Sequence, residues 1–199
     1  MPALPGVGTT RWSIAIATAA AVLLAWAGVP AAGAARAGAR AAGAVPPCPG
    51  EHSMPTGANL KALDAATLCL IDRLRAAHGL SPLRPNGELA RVAGAAARAM
   101  VREDYFADVG PSGRTPMSLV ASTHYRPPVA VGQNIAWGTG ANATPARVVA
   151  AWLASPAHRE IMLDPQYVAA GAGAVPAVPA LLHPNGRGAT YVLELGARA

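Results

Sequence analysis

The chain has 199 residues, 52% of them apolar, which is enough for one well-buried core and too few for two large domains. Its net charge of +6 favours anionic partners, such as lipid phosphates and the polymers of a cell envelope. Because the arginines are scattered along the chain and only 5% of the residues are aromatic, the composition argues against a nucleic-acid partner.

The first 34 residues have the pattern of a secretory signal peptide, so we expect a secreted or envelope protein. Trp12 to Val29 carries no charge and follows Arg11, and small-residue triplets such as Ala32-Gly33-Ala34 come after it. An uncleaved membrane anchor is the alternative interpretation of residues 1–34, because about 18 apolar residues can just span a bilayer.

Residues 35–57 are rich in Ala, Gly, Pro and Arg and lack periodicity, which predicts a linker before one domain at residues 58–199. The chain contains two cysteines, Cys48 and Cys69, and thiols in an exported protein are normally oxidised. We therefore expect a Cys48–Cys69 disulfide, which would stabilise the fold by about 3 kcal/mol. A nucleophilic cysteine is the alternative, but no basic residue flanks Cys69 closely.

Two amphipathic helices are predicted next. Between Asn59 and His78, apolar residues recur at spacings of three and four, and Gly79 follows where a helix C-cap belongs. Pro82 and Pro85 then predict an extended connection, and Asn86 is a favourable N-cap for the second helix. The inward face of the second helix consists of Leu89, Val92, Ala93, Ala96 and Met100, and its outward face carries Arg91, Arg98 and Arg102.

The following segment, Tyr105 to Val131, is rich in Gly and Pro, which predicts a long loop with a helical turn near Met117 to Ala121. Gln133 to Trp137 alternates polar and apolar residues as a half-buried strand does. Thr144-Pro145 and Ser155-Pro156 each place an N-cap residue before a proline, which predicts two further helices.

Two more strands are predicted at Tyr167 to Val175 and Thr190 to Leu195. Because the strands do not alternate one by one with helices, the order of elements indicates an α+β domain with an antiparallel sheet.

Two segments carry the most specific motif: Gly132-Gln133-Asn134-Ile135-Ala136-Trp137-Gly138 and Trp152-Leu153-Ala154-Ser155-Pro156-Ala157-His158-Arg159. Together with Asn86, Leu89 and Tyr105-Phe106 upstream, they resemble the signature of the CAP superfamily, in particular its bacterial secreted branch. The resemblance implies a three-layer α-β-α sandwich with a small, mainly antiparallel central sheet.

In many members of that family, two histidines and acidic residues form a cleft able to hold a divalent metal. The resemblance places His158 in this set, but Asp108 stands where bacterial members have histidine, and Gln133 stands where glutamate is usual. An amide does not exchange protons near neutral pH, and His158 with Asp108 gives two ligands where zinc needs at least three. We therefore expect no metal and no cofactor.

Two residues of this region have competing interpretations. Ser155 is interpreted as a helix cap whose hydroxyl accepts a backbone N–H, and not as a nucleophile, since the chain has no Gly-x-Ser-x-Gly motif. Asp108 is interpreted as a hydrogen-bond acceptor that docks its loop on His158. The alternative is an acid–base pair in which Asp108 orients the His158 imidazole.

The sequence thus predicts non-enzymatic binding of a lipid, another small amphipathic ligand or an anionic envelope component. Lipid binding is an implication of the resemblance, since some family members are associated with lipids or sterols. One alternative is a peptidase-like or wall-directed hydrolase that uses Asp108 and His158, with or without a metal, and another is a structural adhesion module. The candidate cleft residues are Tyr105, Asp108, Gln133, Asn134, Trp137 and His158, with Phe106 and Tyr125 as further apolar walls.

Overall fold

A computed structural model describes residues 46–125, 128–183 and 188–198. The predicted signal peptide or anchor at residues 1–34 and the first part of the predicted linker lie outside the described residues. No helix within the described ranges is long and apolar enough to cross a membrane.

The described residues form five α-helices and a four-stranded sheet. The helices are α1 (Leu60–Ala77), α2 (Gly87–Arg102), α3 (Pro116–Ala121), α4 (Pro145–Ala154) and α5 (Pro156–Leu163). The strands are β1 (Arg84–Pro85), β2 (Pro128–Thr139), β3 (Ala169–Val175) and β4 (Gly188–Arg198). Their order in the sheet is β1-β3-β4-β2, in which only the short β1 runs parallel to its neighbour. The predicted small, mainly antiparallel sheet is confirmed.

Helices cover both faces of the sheet. On one face, α1, α4 and α5 pack against it through residues that include Ile71, Trp152 and Met162. On the other face lie α2 and α3, with Met100 of α2 packed in one cluster with Val192 of β4. The predicted α+β class and three-layer α-β-α sandwich are therefore confirmed.

The α2 helix approaches β3 at backbone distance because the middle of β3 contains only alanine and glycine. A Cβ atom at Gly171 would lie 2.0 Å from the backbone nitrogen of Ala90, and one at Gly173 would lie 2.3 Å from that of Gly94. No side chain fits between the two elements, so the glycines fix the thickness of this layer.

The helix ends test the predicted caps. The Asn86 carboxamide oxygen accepts hydrogen bonds from the N–H groups of Glu88 and Leu89, and Gly79 has a φ of +71° just after α1, so both of these caps are confirmed. The prediction that the Ser155 hydroxyl caps α5 is wrong, because that side chain makes no capping bond. Instead, α5 begins with a proline at its first helical position. The Ser155 carbonyl accepts the N–H of Arg159 at 2.9 Å and so makes the first helical hydrogen bond.

An arginine is buried where the helical pattern calls for an apolar residue. Arg75 is 2% exposed, and its guanidinium donates hydrogen bonds to the carbonyl groups of Ser81, Met162, Asp164 and Tyr167 at 2.9 to 3.1 Å. Burial lowers the pKa of Arg75, but four carbonyl partners compensate the charge. This side chain joins α1 to the connection between α5 and β3.

Cys48 and Cys69 form a disulfide, as predicted. The bond attaches the turn at residues 48–52, hereafter the 48–52 turn, to α1. Within this turn, Glu51 accepts the N–H of Ala146 at its backbone carbonyl (2.9 Å), and its carboxylate lies 3.5 Å from the Arg73 guanidinium. The 48–52 turn therefore contacts both α1 and α4, although composition alone assigns it to the linker.

Candidate functional site

A cleft of about 470 Å³ opens at β2, between this edge strand, α5 and the loop that follows α2. We call it the β2-edge cleft. It is lined by Phe106, Ala107, Asp108, Gln133, Ile135, Ala157, His158 and Ile161. The fold therefore brings together Asp108, Gln133 and His158, three of the residues that the sequence predicts for one site.

Asp108 and His158 line the cleft without forming a pair. Asp108 is exposed on its loop, and His158 is half-buried in the first turn of α5. The Nδ1 atom of His158 is buried and has no hydrogen-bond partner, and the ion pairs of the described residues do not include Asp108 with His158. The two side chains share a cleft, but the docking contact expected between them is not formed.

Gln133 has a partner on β4 that the sequence pattern does not predict. Glu194 stands directly opposite Gln133 on β4, and the Gln133 Nε2 atom donates a hydrogen bond to Glu194 Oε1 at 2.5 Å. Glu194 is 0% exposed, and burial raises the pKa of this carboxyl to about 8. The hydrogen bond from Gln133 lowers that pKa, and the negative charge of Asp108 raises it.

Glu194 places a buried carboxyl behind the wall of the cleft, on the neighbouring strand β4. The resemblance leads one to expect glutamate at position 133, and here the amide occupies β2 while the carboxyl lies on β4. A glutamate inside the otherwise apolar run from Tyr191 to Leu195 is the one signal in the sequence that could have revealed it. The pairing of Glu194 with Gln133 could not be predicted, because neither strand alone specifies the register between β2 and β4.

Two side chains of the signature hold α4 and α5 against β2. The Asn134 carboxamide is fully buried on the opposite face of β2 from Gln133 and donates to the backbone carbonyl of His158 at 2.9 Å. The Trp152 indole donates to the carbonyl of Ile135 at 3.0 Å. Asn134 therefore acts on the cleft by positioning the helix that carries His158, and does not line the cleft itself.

The predicted aromatic walls are dispersed. Tyr105 lines a neighbouring cavity of about 430 Å³ between α2 and the following loop, which shares Ala107 and Asp108 with the cleft. Burial raises the pKa of the Tyr105 hydroxyl. Trp137 is 38% exposed on β2 outside the cleft lining, and Tyr125 is buried in the core beside Leu89. Of the four expected walls, only Phe106 lines the β2-edge cleft.

The donor set of the cleft does not suit a metal centre. Across the described ranges, no group of three or more His, Cys, Asp and Glu side chains is arranged to hold a metal ion. His158 and Asp108 would give two ligands, and a zinc site requires three or four. The residues present therefore do not fit the metal that the family resemblance implies.

A larger and more apolar groove lies between α1 and α4, in the helical layer that also contains α5. We call it the α1–α4 groove, and its volume is about 750 Å³. Its aliphatic lining consists of Leu70, Leu74, Ala76, Ala77, Ala146, Val149, Ala150 and Leu153. Its polar lining residues are Glu51 and His52 of the 48–52 turn, together with Arg73. No residue of this groove was predicted to bind a ligand.

Comparisons with known proteins agree with this fold. Residues 68–177 match the family model of the cysteine-rich secretory protein family, CAP. The uncharacterized protein YkwD of Bacillus subtilis is 31% identical over 117 residues, which are 59% of this chain and 44% of that protein. The match thus spans less than half the length of this curated relative.

Solved structures share the fold at low sequence identity. An outer surface protein from Borrelia burgdorferi is 23% identical with a TM-score of 0.55, covering 66% of this chain and 90% of that one. An extracellular protein containing an SCP domain from Bacillus anthracis is 21% identical with a TM-score of 0.55, covering 73% of this chain and 44% of that one. A cysteine-rich secretory protein from Staphylococcus aureus is 16% identical with a TM-score of 0.52, covering 72% and 41%. The family match covers more than half of the chain and agrees with the sandwich fold, so this chain belongs to the CAP family of cysteine-rich secretory proteins.

Proposed function

We propose that this CAP protein works outside the cell or in the envelope as a non-enzymatic binding protein for a small amphipathic ligand, which occupies the α1–α4 groove. The observation that carries the proposal is the groove itself. Its volume of about 750 Å³ falls in the range of small-molecule sites, roughly 300–1,000 Å³. Eight aliphatic residues supply its walls, so an acyl or other hydrocarbon chain would be desolvated along its length.

The polar residues of the groove favour an anionic headgroup. The Arg73 side chain is 38% exposed, and its contact with Glu51 is long at 3.5 Å, so the guanidinium retains donors for a second partner. A carboxylate or phosphate on the ligand would accept charge-assisted hydrogen bonds from it. We therefore propose a single-chain amphiphile with an acidic head as the ligand.

Export of the protein is part of the same proposal. The signal-type pattern of residues 1–34 and the disulfide are typical of proteins that leave the cytosol. The neighbours in Borrelia burgdorferi and Bacillus anthracis are described as outer surface and extracellular proteins, which supports the same location here.

Binding of a fluorescent long-chain fatty acid, measured by titration, tests the proposal. Leu74→Glu places a charge in the apolar wall and should weaken binding at least about tenfold, which is about 1.4 kcal/mol. The matched control is Leu181→Glu, since Leu181 is 55% exposed and lies outside the groove. Equal affinities of the two variants and the wild type would exclude the groove as the binding site.

A comparison of two ligands tests whether Arg73 recognises the headgroup. Arg73→Gln should weaken binding of the fatty acid while leaving the fatty alcohol of the same chain length unaffected, because only the acid offers a negative charge. Equal losses for acid and alcohol would mean that Arg73 acts through packing and not through its charge.

A hydrolase at the β2-edge cleft is the second candidate function. It is favoured by one observation, the meeting of Asp108 and His158 in a cleft that also has the Glu194 carboxyl behind its wall. Peptide and cell-wall substrates would then be cleaved by the wild type and not by His158→Ala. Activity that survives in His158→Ala would eliminate this candidate.

A further inference from the structure

Two neighbouring side chains at the wall of the β2-edge cleft, Gln133 and Glu194, each have a buried oxygen atom without a hydrogen-bond partner. Gln133 Nε2 donates to Glu194 Oε1, and this leaves Gln133 Oε1 and Glu194 Oε2 without partners, both buried. Each is an acceptor when Glu194 is ionised, so the pair as a whole then lacks one donor. A buried acceptor without a partner loses its bonds to water and gains none in return, and here there are two such acceptors.

A single proton supplies the missing donor. If it resides on Glu194 Oε2, the O–H group can donate to Gln133 Oε1, and the two planar groups are joined by two antiparallel hydrogen bonds. We propose that Glu194 and Gln133 share one proton as a carboxylic acid–amide pair, which makes Glu194 the residue that positions Gln133 in the wall of the cleft.

Burial and the nearby charge favour the protonated form of Glu194 and outweigh the Gln133 N–H, which favours the ionised form. The residues that α2 packs on this face of the sheet, among them Leu89, Ala93 and Met100, carry no charge, and Gly171 stands opposite Glu194 on β3. The charge that acts on Glu194 from the loop is that of Asp108, and it is negative. Burial and this charge both raise the pKa of Glu194, in agreement with the geometric argument.

The pair has a consequence for the cleft. In this pair Glu194 engages the Oε1 atom and one N–H of Gln133, so Gln133 offers a ligand only the second N–H of its amide, beside Asp108 and His158. Above a pH of about 8 the proton leaves, and the wall gains a negative charge close to Asp108. The cleft then prefers a cationic ligand.

Nuclear magnetic resonance of the wild-type protein tests the proposal without any substitution. The side-chain carboxyl carbon of ¹³C-labelled Glu194 should titrate with a midpoint near pH 8, whereas exposed Glu160 serves as a glutamate reference in the same spectrum. A Glu194 midpoint at the ordinary value of about 4.5 would overturn the shared proton.

Variants separate this positioning role from a merely structural one. Asp108→Asn should lower the Glu194 midpoint because a negative charge is removed, whereas the matched change Asp104→Asn on the same loop should leave it unchanged. Glu194→Gln retains two hydrogen bonds in an amide–amide pair, so the Gln133 side-chain amide protons should stay protected from exchange at both pH 6 and pH 9. In the wild type the protection factor of the same protons, which is the ratio of the intrinsic to the observed exchange rate at each pH, should fall at least about tenfold between pH 6 and pH 9. Protection that is independent of pH in the wild type would refute the proposal.

Discussion

Asp64 on α1 offers a test of how burial of a carboxyl limits stability. Its Oδ1 atom is buried without a hydrogen-bond partner, and burial raises the pKa of the group from 3.8 to about 7. A hydrogen bond from the backbone N–H of Ala174 lowers the pKa and offsets this shift only in part. Asp64→Asn keeps the shape of the side chain and removes its charge.

The expected change in the free energy of unfolding follows from the pKa shift of Asp64. Each pKa unit corresponds to about 1.36 kcal/mol, so a rise from 3.8 to about 7 sets an upper limit of about 4 kcal/mol. Asp64 is only half-buried, and solvent screening reduces the expected effect to about 2 kcal/mol. Because the folded protein holds the proton more tightly than the unfolded chain, unfolding releases it and stability falls as the pH rises between 3.8 and about 7.

Urea denaturation of the wild type and Asp64→Asn at several pH values measures this difference. The two proteins should have similar free energies of unfolding near pH 4, and Asp64→Asn should be more stable by about 2 kcal/mol at pH 8. The contribution of Glu194 is common to both proteins and cancels in the difference. Glu160→Gln is the control, since Glu160 is exposed, and it should show no such dependence. A variant less stable than the wild type at pH 8, or a difference that does not vary with pH, would refute the reasoning.

Three further predictions concern stability, each measured by denaturant unfolding. Replacing Cys48 and Cys69 together by serine should lower the free energy of unfolding by about 3 kcal/mol, and unchanged midpoints would contradict the role of the disulfide. Arg75→Met should cost about 3 kcal/mol because four carbonyl groups lose their donor, whereas a loss below about 1 kcal/mol would mean that water replaces the guanidinium. Gly171→Ala should lower the free energy of unfolding by about 3 kcal/mol, because the new Cβ atom meets the α2 backbone. The control is Gly57→Ala, which has open space around it and should change stability by less than about 0.5 kcal/mol. Similar effects at both sites would contradict the close packing of α2 on β3.

Most of the fold could be predicted because its determinants are local. The Asn86 cap, the glycine at 79 and the proline of each Thr-Pro or Ser-Pro pair act within one helical turn, so the sequence places the helix boundaries within a few residues. Arg75 escaped prediction because a charged residue is normally assigned to the solvent side of a helix, and its four partners lie on segments distant in sequence.

The site could be predicted only in part, for a similar reason. Asp108, Gln133 and His158 were placed together because the family resemblance supplies their proximity. The Glu194 carboxyl depends on the register between β2 and β4, which no local pattern specifies. The α1–α4 groove is a void between two amphipathic helices whose lining residues have the same periodicity as core residues, so periodicity could not distinguish them.

The 48–52 turn has a mechanical consequence. A pulling force applied to the polypeptide ahead of Cys48 would pass through the covalent bond to Cys69 in the middle of α1, and the rest of the turn would bear little of the load. Glu51 and His52 would then keep their places beside the α1–α4 groove while the upstream chain is under tension. The disulfide thus shields the 48–52 turn from strain on the segment that precedes it and passes the load directly to α1, a wall of the groove.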